Sequence, residues 1–387
     1  MNKIQLIESH QINRNHRFYD ECNHLTYLAK NLWNATNYRV RQHLFATGEY
    51  LNYNDINYDF THENQVDYRA LPAKVSKGVQ RMLDKSYKAF FKGAGFRHIP
   101  GYLHKTKGRQ TVHYERGALS FKINGFVKLS KTNILIKTDK HAEFARIVPH
   151  QDYFTIEIGY SVNLPAPSQT TGKVAAIDFG MKNFATVISN VSAPFIINGL
   201  PIQAINRYAD YLVAKQRLHV TGTSHVIRSI YRKRHNKLKD YLHKSSRFLT
   251  NWLHDNDITT LVIGYNLGWK KGKPIKFFQK TAYKQFVDMV TYKCELLGIN
   301  IIIQEESYTS KASFKALDTI PTIGNTTNKT FSGKRIKRGL YKNADNTLIN
   351  ADVNGSLNTL RKSDVWDNQM YNDCLMYSKQ SITRYSF

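Results

Sequence analysis

The hydrophobic positions change period several times along the chain, and each change marks a different kind of element. A strand-like stretch from Lys3 to Gln11 is followed by residues 17 to 47, where Tyr27, Leu28, Leu32, Trp33 and Tyr38 recur at mixed three- and four-residue spacing and predict a helix. A second helix is predicted over residues 71 to 94, with Leu71, Val75, Val79, Met82, Leu83, Tyr87 and Phe90 on one face. Lys74, Lys77, Arg81, Lys85 and Lys88 fall on the other. From Thr111 to Val162 the period drops to two, as in Leu119-Ser-Phe-Lys-Ile, with breaks at Gly117, Asn124-Gly125 and Asp139 that suit a small antiparallel sheet or barrel.

Leu164-Pro-Ala-Pro-Ser-Gln-Thr-Thr-Gly172 interrupts all periodicity and reads as a domain boundary. Beyond it, Val174-Ala-Ala-Ile-Asp-Phe-Gly, Phe184-Ala-Thr-Val-Ile and Pro194-Phe-Ile-Ile-Asn are three short strands with hairpin-length connections, the signature of a meander. Residues 205 to 254 form a long helical region marked by Ile227, Tyr231, Leu238, Leu242, Leu249 and Leu253. Thr260-Leu-Val-Ile-Gly is a fourth strand, Ala282 to Leu297 a helix and Asn300-Ile-Ile-Ile-Gln a fifth strand, giving a mixed sheet with helical crossovers. Residues 307 to 350 read as loop, residues 352 to 362 as the last helix, and residues 363 to 387 as a tail without a strong pattern.

Charge adds a partner class to this outline. The 387 residues carry 56 Lys and Arg against 29 Asp and Glu, a formal charge of +27, which calls for an anionic partner. Between Arg207 and Arg247 the local surplus is +9, so the helical region there is a candidate phosphate-binding surface. Aromatic residues make up 12%, which suits base stacking as well as core packing. The three cysteines, Cys22, Cys294 and Cys374, lie far apart and form neither a disulfide framework nor a zinc pair, so a reduced intracellular setting is expected. No run of 18 apolar residues occurs, and no membrane partner is expected.

The scarce acidic residues carry the candidate chemistry. Asp178 sits inside an apolar strand, where a carboxylate is costly unless paired or bound to a cation. Glu305 and Glu306 follow a second strand, and Asp352 stands at a helix start. Hard oxygen ligands of this kind select Mg²⁺ or Mn²⁺, and two such ions can clamp the attacking and leaving oxygens of a phosphodiester. From spacing alone, an N-cap role for Asp352 and a salt bridge for Asp178 remain open.

Asp178-Phe-Gly-Met-Lys-Asn-Phe-Ala-Thr-Val resembles the first RuvC motif of the TnpB family, the transposon-encoded RNA-guided endonucleases. Glu306-Ser-Tyr-Thr-Ser-Lys and Asn350-Ala-Asp-Val-Asn-Gly-Ser resemble the later motifs, in family order. The likeness continues in Leu71-Pro-Ala-Lys-Val, Pro100-Gly-Tyr, Leu242-His-Lys-Ser-Ser-Arg and Ile263-Gly-Tyr-Asn-Leu-Gly-Trp-Lys, covering nearly the whole chain. Two departures stand out. Many members place the second catalytic Glu at the end of the fourth strand, where this chain has Gly264, and the resemblance makes Glu306, 42 positions downstream, the substitute. Strand alternation lets only one of Glu305 and Glu306 face inward, so Glu305 stands as the reserve candidate. The four-cysteine zinc finger of many members is replaced by a segment containing Lys334-Arg-Ile-Lys-Arg338, so no zinc is expected.

The resemblance implies an α+β and α/β chain with a β-barrel-like wedge domain (residues 1–14 and 95–168), a helical recognition insertion (15–94), and an RNase H-like (RuvC) mixed-sheet nuclease domain (172–363) with a basic helical insertion at 205–254. It further implies guide RNA from the element's own end, a double-stranded DNA target read at a short flanking motif, and two Mg²⁺ or Mn²⁺ ions held by Asp178, Glu306 and Asp352. Expected nucleic-acid contacts are Lys74, Lys77, Gln80, Arg81 and Lys85 on the second helix, and Arg232, Lys233, Arg234 and Lys237 on the long basic helix. Lys270 and Lys271, and Lys334, Arg335, Lys337 and Arg338 in the insert, complete the set. A nuclease-inactive RNA-guided repressor and a transposase accessory protein are the alternatives, a cytoplasmic, nucleoid-associated location of prokaryotic type is expected, and monomer and dimer are both left open.

Overall fold

A computed structural model describes residues 2–93, 98–168, 172–265, 282–322 and 330–387. The chain divides into two compact units, Met1–Asn163 and Leu164–Phe387.

In the first unit, β1 (Lys3–Ile12) pairs antiparallel along its whole length with β7 (Phe154–Asn163), and β6 (Phe144–Pro149) and β2 (Val112–Glu115) extend the sheet in the order β1-β7-β6-β2. Three shorter strands, β3 (Leu119–Ser120), β4 (Phe126–Leu129) and β5 (Leu135–Lys137), form a separate antiparallel sheet. Among the described residues, four helices lie between β1 and β2: α1 (Tyr19–Thr47), α2 (Tyr53–His62), α3 (Val66–Arg69) and α4 (Ala73–Phe91). α1 stops where Gly48 takes φ +76°, a left-handed conformation from which its N–H caps the Leu44 carbonyl. α4 buries Val75, Val79, Leu83 and Tyr87 at four-residue spacing, each contributing about 1.5–3 kcal/mol of hydrophobic stabilisation.

The second unit is built on a six-stranded mixed sheet ordered β12-β11-β8-β9-β10-β16. β8 (Val174–Phe179), β9 (Asn183–Ser189) and β10 (Phe195–Asn198) form the expected antiparallel meander, while β11 (Thr260–Gly264) pairs parallel with β8 and with β12 (Asn300–Gln304). The carboxyl ends of β8, β11 and β12 therefore share one edge of the sheet, the edge where open α/β sheets bind ligands. The helical region is two helices, α5 (Leu200–Arg217) and α6 (His225–Asp255), and α7 (Tyr283–Glu295) leads into β12. Ile177, Phe184, Leu249, Leu253, Ile263 and Phe286 form the core on one face of the sheet. On the other face, Val174, Ala176 and Val262 pack with Val353, Leu357 and Leu360 of α8 (Ala351–Arg361).

Two segments differ from expectation. The stretch read as loop contains a three-stranded antiparallel sheet, β13 (Lys334–Lys337), β14 (Leu340–Lys342) and β15 (Leu348–Asn350). Its strands are short, β13 is exposed with three basic residues around the lone Ile336, and a hydrophobic period had nothing to mark. The patternless tail contains α9 (Tyr371–Ser378) and β16 (Thr383–Tyr385), the latter pairing parallel with β10 as an edge strand.

Lys293 of α7 is buried, 4% exposed, and its Nζ donates to the His243 carbonyl at 2.9 Å. Burial, with the nearby Arg247 charge, pushes its pKa from an ordinary 10.5 down to about 8. The unfolded chain thus binds a proton that the folded chain lacks between these two values. Relative to Lys293→Met, the wild-type melting temperature should therefore climb as pH rises from about 8 to 10.5, a trend read by thermal melts of both proteins.

Candidate nuclease site

Asp178 is the penultimate residue of β8 and half-buried, at the carboxyl edge of the sheet. Two strands away, Glu305 and Glu306 follow β12, and α8 brings Asp352 in its first turn. Asn350 caps that helix, accepting from the N–H groups of Asp352 at 2.9 Å and Val353 at 3.1 Å. The capping role left open for Asp352 thus belongs to Asn350, and the Asp352 carboxylate is available to the cleft. α8 is seated by its own polar residues: Asn358 donates to the carbonyls of Thr309 at 2.9 Å and Ala312 at 2.7 Å, and Ser356 to that of Thr186 at 3.0 Å.

Asp178, Glu306 and Asp352 line one cleft of about 590 Å³, together with Asn183, Arg335 and Arg384. Two glycines make this approach possible. A Cβ on Gly264, at the end of β11, would lie 2.6 Å from Glu306 Oε2, so the bare backbone lets the Glu306 carboxylate occupy that space. On α8, a Cβ at Gly355 would lie 2.7 Å from Asp178 Oδ2. Alanine favours a helix interior over glycine by about 1 kcal/mol, yet here it would collide with a carboxylate. Gly355→Ala is expected to lower any metal-dependent activity of the site roughly 10- to 100-fold, read as turnover at saturating Mg²⁺, while the chain remains folded.

Electrostatics separates the two neighbouring glutamates. Burial raises the Asp178 carboxyl above its usual range and the Asp352 charge raises it further, against partial relief from the Phe179 N–H and Arg335. Burial also raises Glu306, with Asp178 and then Glu305 adding to it. Glu305 goes the other way: burial works to raise it, but Lys362 and Ser307 outweigh that and hold it low. Glu305 is engaged in an ion pair with Lys362, which is 8% exposed, and accepts from the Ser307 N–H at 2.7 Å. Glu306, and not Glu305, therefore faces Asp178 across Gly264.

The two oxygens of Asp352 are held by different donors. Arg335 Nη2 donates to Oδ1 at 3.0 Å, and Asn183 Nδ2 donates to Oδ2 at 2.6 Å. Arg384 Nη1 in turn donates to Asn183 Oδ1 at 2.7 Å. Among the described residues, no three His, Cys, Asp or Glu side chains are already gathered as a cage for a metal ion.

Residues 157–270 match the model of the OrfB_IS605 family, described as a probable transposase. Residues 283–359 match the model of the Cas12f1-like TNB domain. These matches support a TnpB/Cas12f-like family. The fold resembles that in a cryo-EM structure of a Cas12f1–sgRNA–target DNA complex, with a TM-score of 0.53 and 14% identity over 88% of this chain and 82% of that one. A cryo-EM structure of a CRISPR–Cas12f ternary complex also matches, with a TM-score of 0.36 and 12% identity over 89% of this chain and 82% of that one. No curated protein matches the chain.

The expected nucleic-acid contacts are spread more widely. Lys74 and Lys85 are exposed, Lys77 is half-buried, and Arg81 pairs with Glu115 at 2.6 Å. Gln80 corrects the expectation: it lies on the Val75–Val79–Leu83 side of α4 and is 1% exposed, so it offers no surface to a ligand. Lys233 and Lys237 are exposed on α6, whereas Arg232 and Arg234 are half-buried and Arg234 donates to Asn206 at 2.7 Å. Lys334, Lys337 and Arg338 are exposed beside Arg335, and Lys270 and Lys271 lie outside the described residues. Asn183 and Arg384 escaped the sequence reading, since an Asn inside a motif singled out for its Asp and an Arg in a patternless tail carry no signal of their own. Among the described residues, no helix is long and apolar enough to cross a membrane.

Proposed function

We propose that the protein is an RNA-guided DNA endonuclease of a transposable element. The observation that carries this reading is the convergence of Asp178, Glu306 and Asp352, from a strand end, a loop and a helix start, on one cleft of a chain whose formal charge is +27. The Asp178 and Glu306 carboxyls, raised by burial and by neighbouring carboxylates, form with Asp352 an all-oxygen donor set suited to hard divalent cations. Asp178, Glu306 and Asp352 would hold Mg²⁺ or Mn²⁺, with Glu305 committed to Lys362 instead. When bound, the ions supply Lewis-acid charge and an activated water for phosphodiester hydrolysis.

The chain's own residues prepare that chemistry. Arg335 neutralises Asp352 at Oδ1, and the Arg335–Asp352 pair must open for that oxygen to serve as a ligand. Once released, Arg335 lies in the same cleft as Arg338, where a guanidinium can grip a phosphate with two parallel hydrogen bonds. Under this reading the first unit contains the wedge domain with its recognition helices, and the second is the RuvC-like nuclease of a subgroup with a relocated Glu and no zinc finger. Exposed Lys74, Lys85, Lys233, Lys237, Lys334 and Lys337 belong to the surfaces that draw in the guide RNA and DNA. The working location is the cytoplasm, at the nucleoid.

The test is to copurify the protein with its RNA and incubate it with a plasmid library carrying a randomised flank, with Mg²⁺ or with EDTA. The proposal expects cutting beside a short enriched flank only with Mg²⁺. Guide-dependent binding without cutting would transfer the assignment to a nuclease-inactive repressor.

A further inference from the structure

The C-terminal strand ends beside the cleft, and its arginine reaches the carboxylate network from the far end of the sequence. β16 pairs parallel with β10 so that Arg384 lies opposite Ile196. The strand is pinned by the three residues that follow Arg384. Tyr385 packs edge-on against Phe195 at 5.6 Å and tilted against Phe248 at 4.4 Å, Phe387 packs on Phe248 at 5.3 Å, and Asn198 Nδ2 donates to Ser386 Oγ at 3.0 Å. β10 also pairs with β9, and after a register shift between Ile197 and Asn198 it sets Asn198 opposite Asn183, so paired strands link the tail to the amide that holds Asp352.

An asparagine side chain has one accepting and one donating end, and flipping it exchanges them. Here Oδ1 accepts from Arg384 and Nδ2 donates to Asp352, so the arginine anchors the far end of the amide whose near end holds the carboxylate. Without that guanidinium, Oδ1 loses its charged donor and the amide is less firmly held in place against Asp352. The donor to Oδ2 is a neutral amide, unlike the Arg335 guanidinium at Oδ1, so it need not leave for a cation to approach Oδ1. Resting on the nuclease reading above, we propose that Arg384 is a positioning residue of the centre, fixing the Asp352 carboxylate through Asn183 and making the C-terminal strand part of the site. Arg384 is itself exposed, so removing it leaves the core packing intact.

The sign of the effect separates positioning from simple charge. Removing a positive charge near a cation site would by itself tighten cation binding. Losing the orientation of a ligand weakens it, typically by about 10- to 100-fold. Free Mn²⁺ is titrated by electron paramagnetic resonance into the full-length protein–RNA complex, and Mg²⁺-dependent turnover is measured alongside. Arg384→Met is expected to weaken Mn²⁺ binding about tenfold, and Arg384→Lys, which can still donate to Asn183 Oδ1, to regain most of it. In an Asn183→Ala background, Arg384→Met should have no further effect. Unchanged or tighter Mn²⁺ binding by Arg384→Met, or additivity with Asn183→Ala, would overturn the inference while wild-type cutting left the nuclease reading intact. A wild-type complex that neither takes up Mn²⁺ nor cuts DNA would overturn both.

Discussion

Asp178→Asn is expected to abolish guided DNA cutting, by on the order of a thousandfold or more, and at the same time to stabilise the metal-free protein. The two effects share one cause. The Asp178 carboxyl is buried against the charge of Asp352, so its pKa in the folded chain lies above the ordinary 3.8. Between those values the folded chain keeps a proton that the unfolded chain has released. Stability is therefore lost as pH rises through that window and stays lost above it. The amide mimics the protonated form, removes the repulsion and cannot serve as an anionic ligand. In EDTA at pH 8 the variant should melt higher than wild type, by about 2–4 °C for each kcal/mol relieved. Added Mg²⁺ should narrow or reverse that gap, because only the wild type gains binding energy. Differential scanning calorimetry with and without Mg²⁺ checks the stability half, and plasmid cutting the other. A variant that melts lower than wild type in EDTA would show that Asp178 is held by attraction.

The second large effect concerns the adjacent glutamates. Glu306→Gln should cost cutting as severely as the loss of Asp178, since its carboxylate lies over Gly264 and faces Asp178. Glu305→Gln should leave turnover within a few fold and instead lower stability by about 1 kcal/mol. That figure is small because Glu305 is 36% exposed and Lys362 keeps its bonds to the Ser307 and Pro321 carbonyls, at 3.2 and 3.3 Å. Gly264→Ala should resemble a weakened Glu306 variant, because its Cβ would meet the Ile177 carbonyl and Thr359 at 3.1 Å as well as the carboxylate. Single-turnover cutting rates of the three variants decide this. Loss of cutting in Glu305→Gln with retention in Glu306→Gln would reverse the assignment.

Asp178 was legible in the sequence because a carboxylate amid Val, Ala, Ile and Phe in a strand is physically conspicuous. Five of the six strands of the mixed sheet were also legible, since each of those five is a short apolar run and the helices between them keep their period. The choice between Glu305 and Glu306 was not, because alternation leaves two answers and the deciding partner, Lys362, lies far along the chain. Gly264 was visible only as a missing Glu, and its use as room for Glu306 depends on β11 lying between β8 and β12. Arg335 was legible as basic but read as a surface contact, whereas it reaches Asp352. Its place depends on a small sheet of polar strands that hydrophobic patterning does not mark. β16 was hidden for a similar reason: three residues acquire strand structure only by pairing with β10, and Arg384 acquires a partner only through that register. Gln80 misled because it stands among lysines in sequence, yet α4 turns it inward.

The account's central claim is that the guide chooses the target and the carboxylate cleft cuts it. The most direct measurement replaces only the guide segment of the copurified RNA and maps the cuts on a linear DNA carrying both the old and the new target, each beside the enriched flank, in Mg²⁺. The account predicts that every cut moves to the new target and that Asp178→Ala protein with the same RNA binds that target and leaves it whole. Cuts that stay at the old target, or that persist with Asp178→Ala, would contradict it.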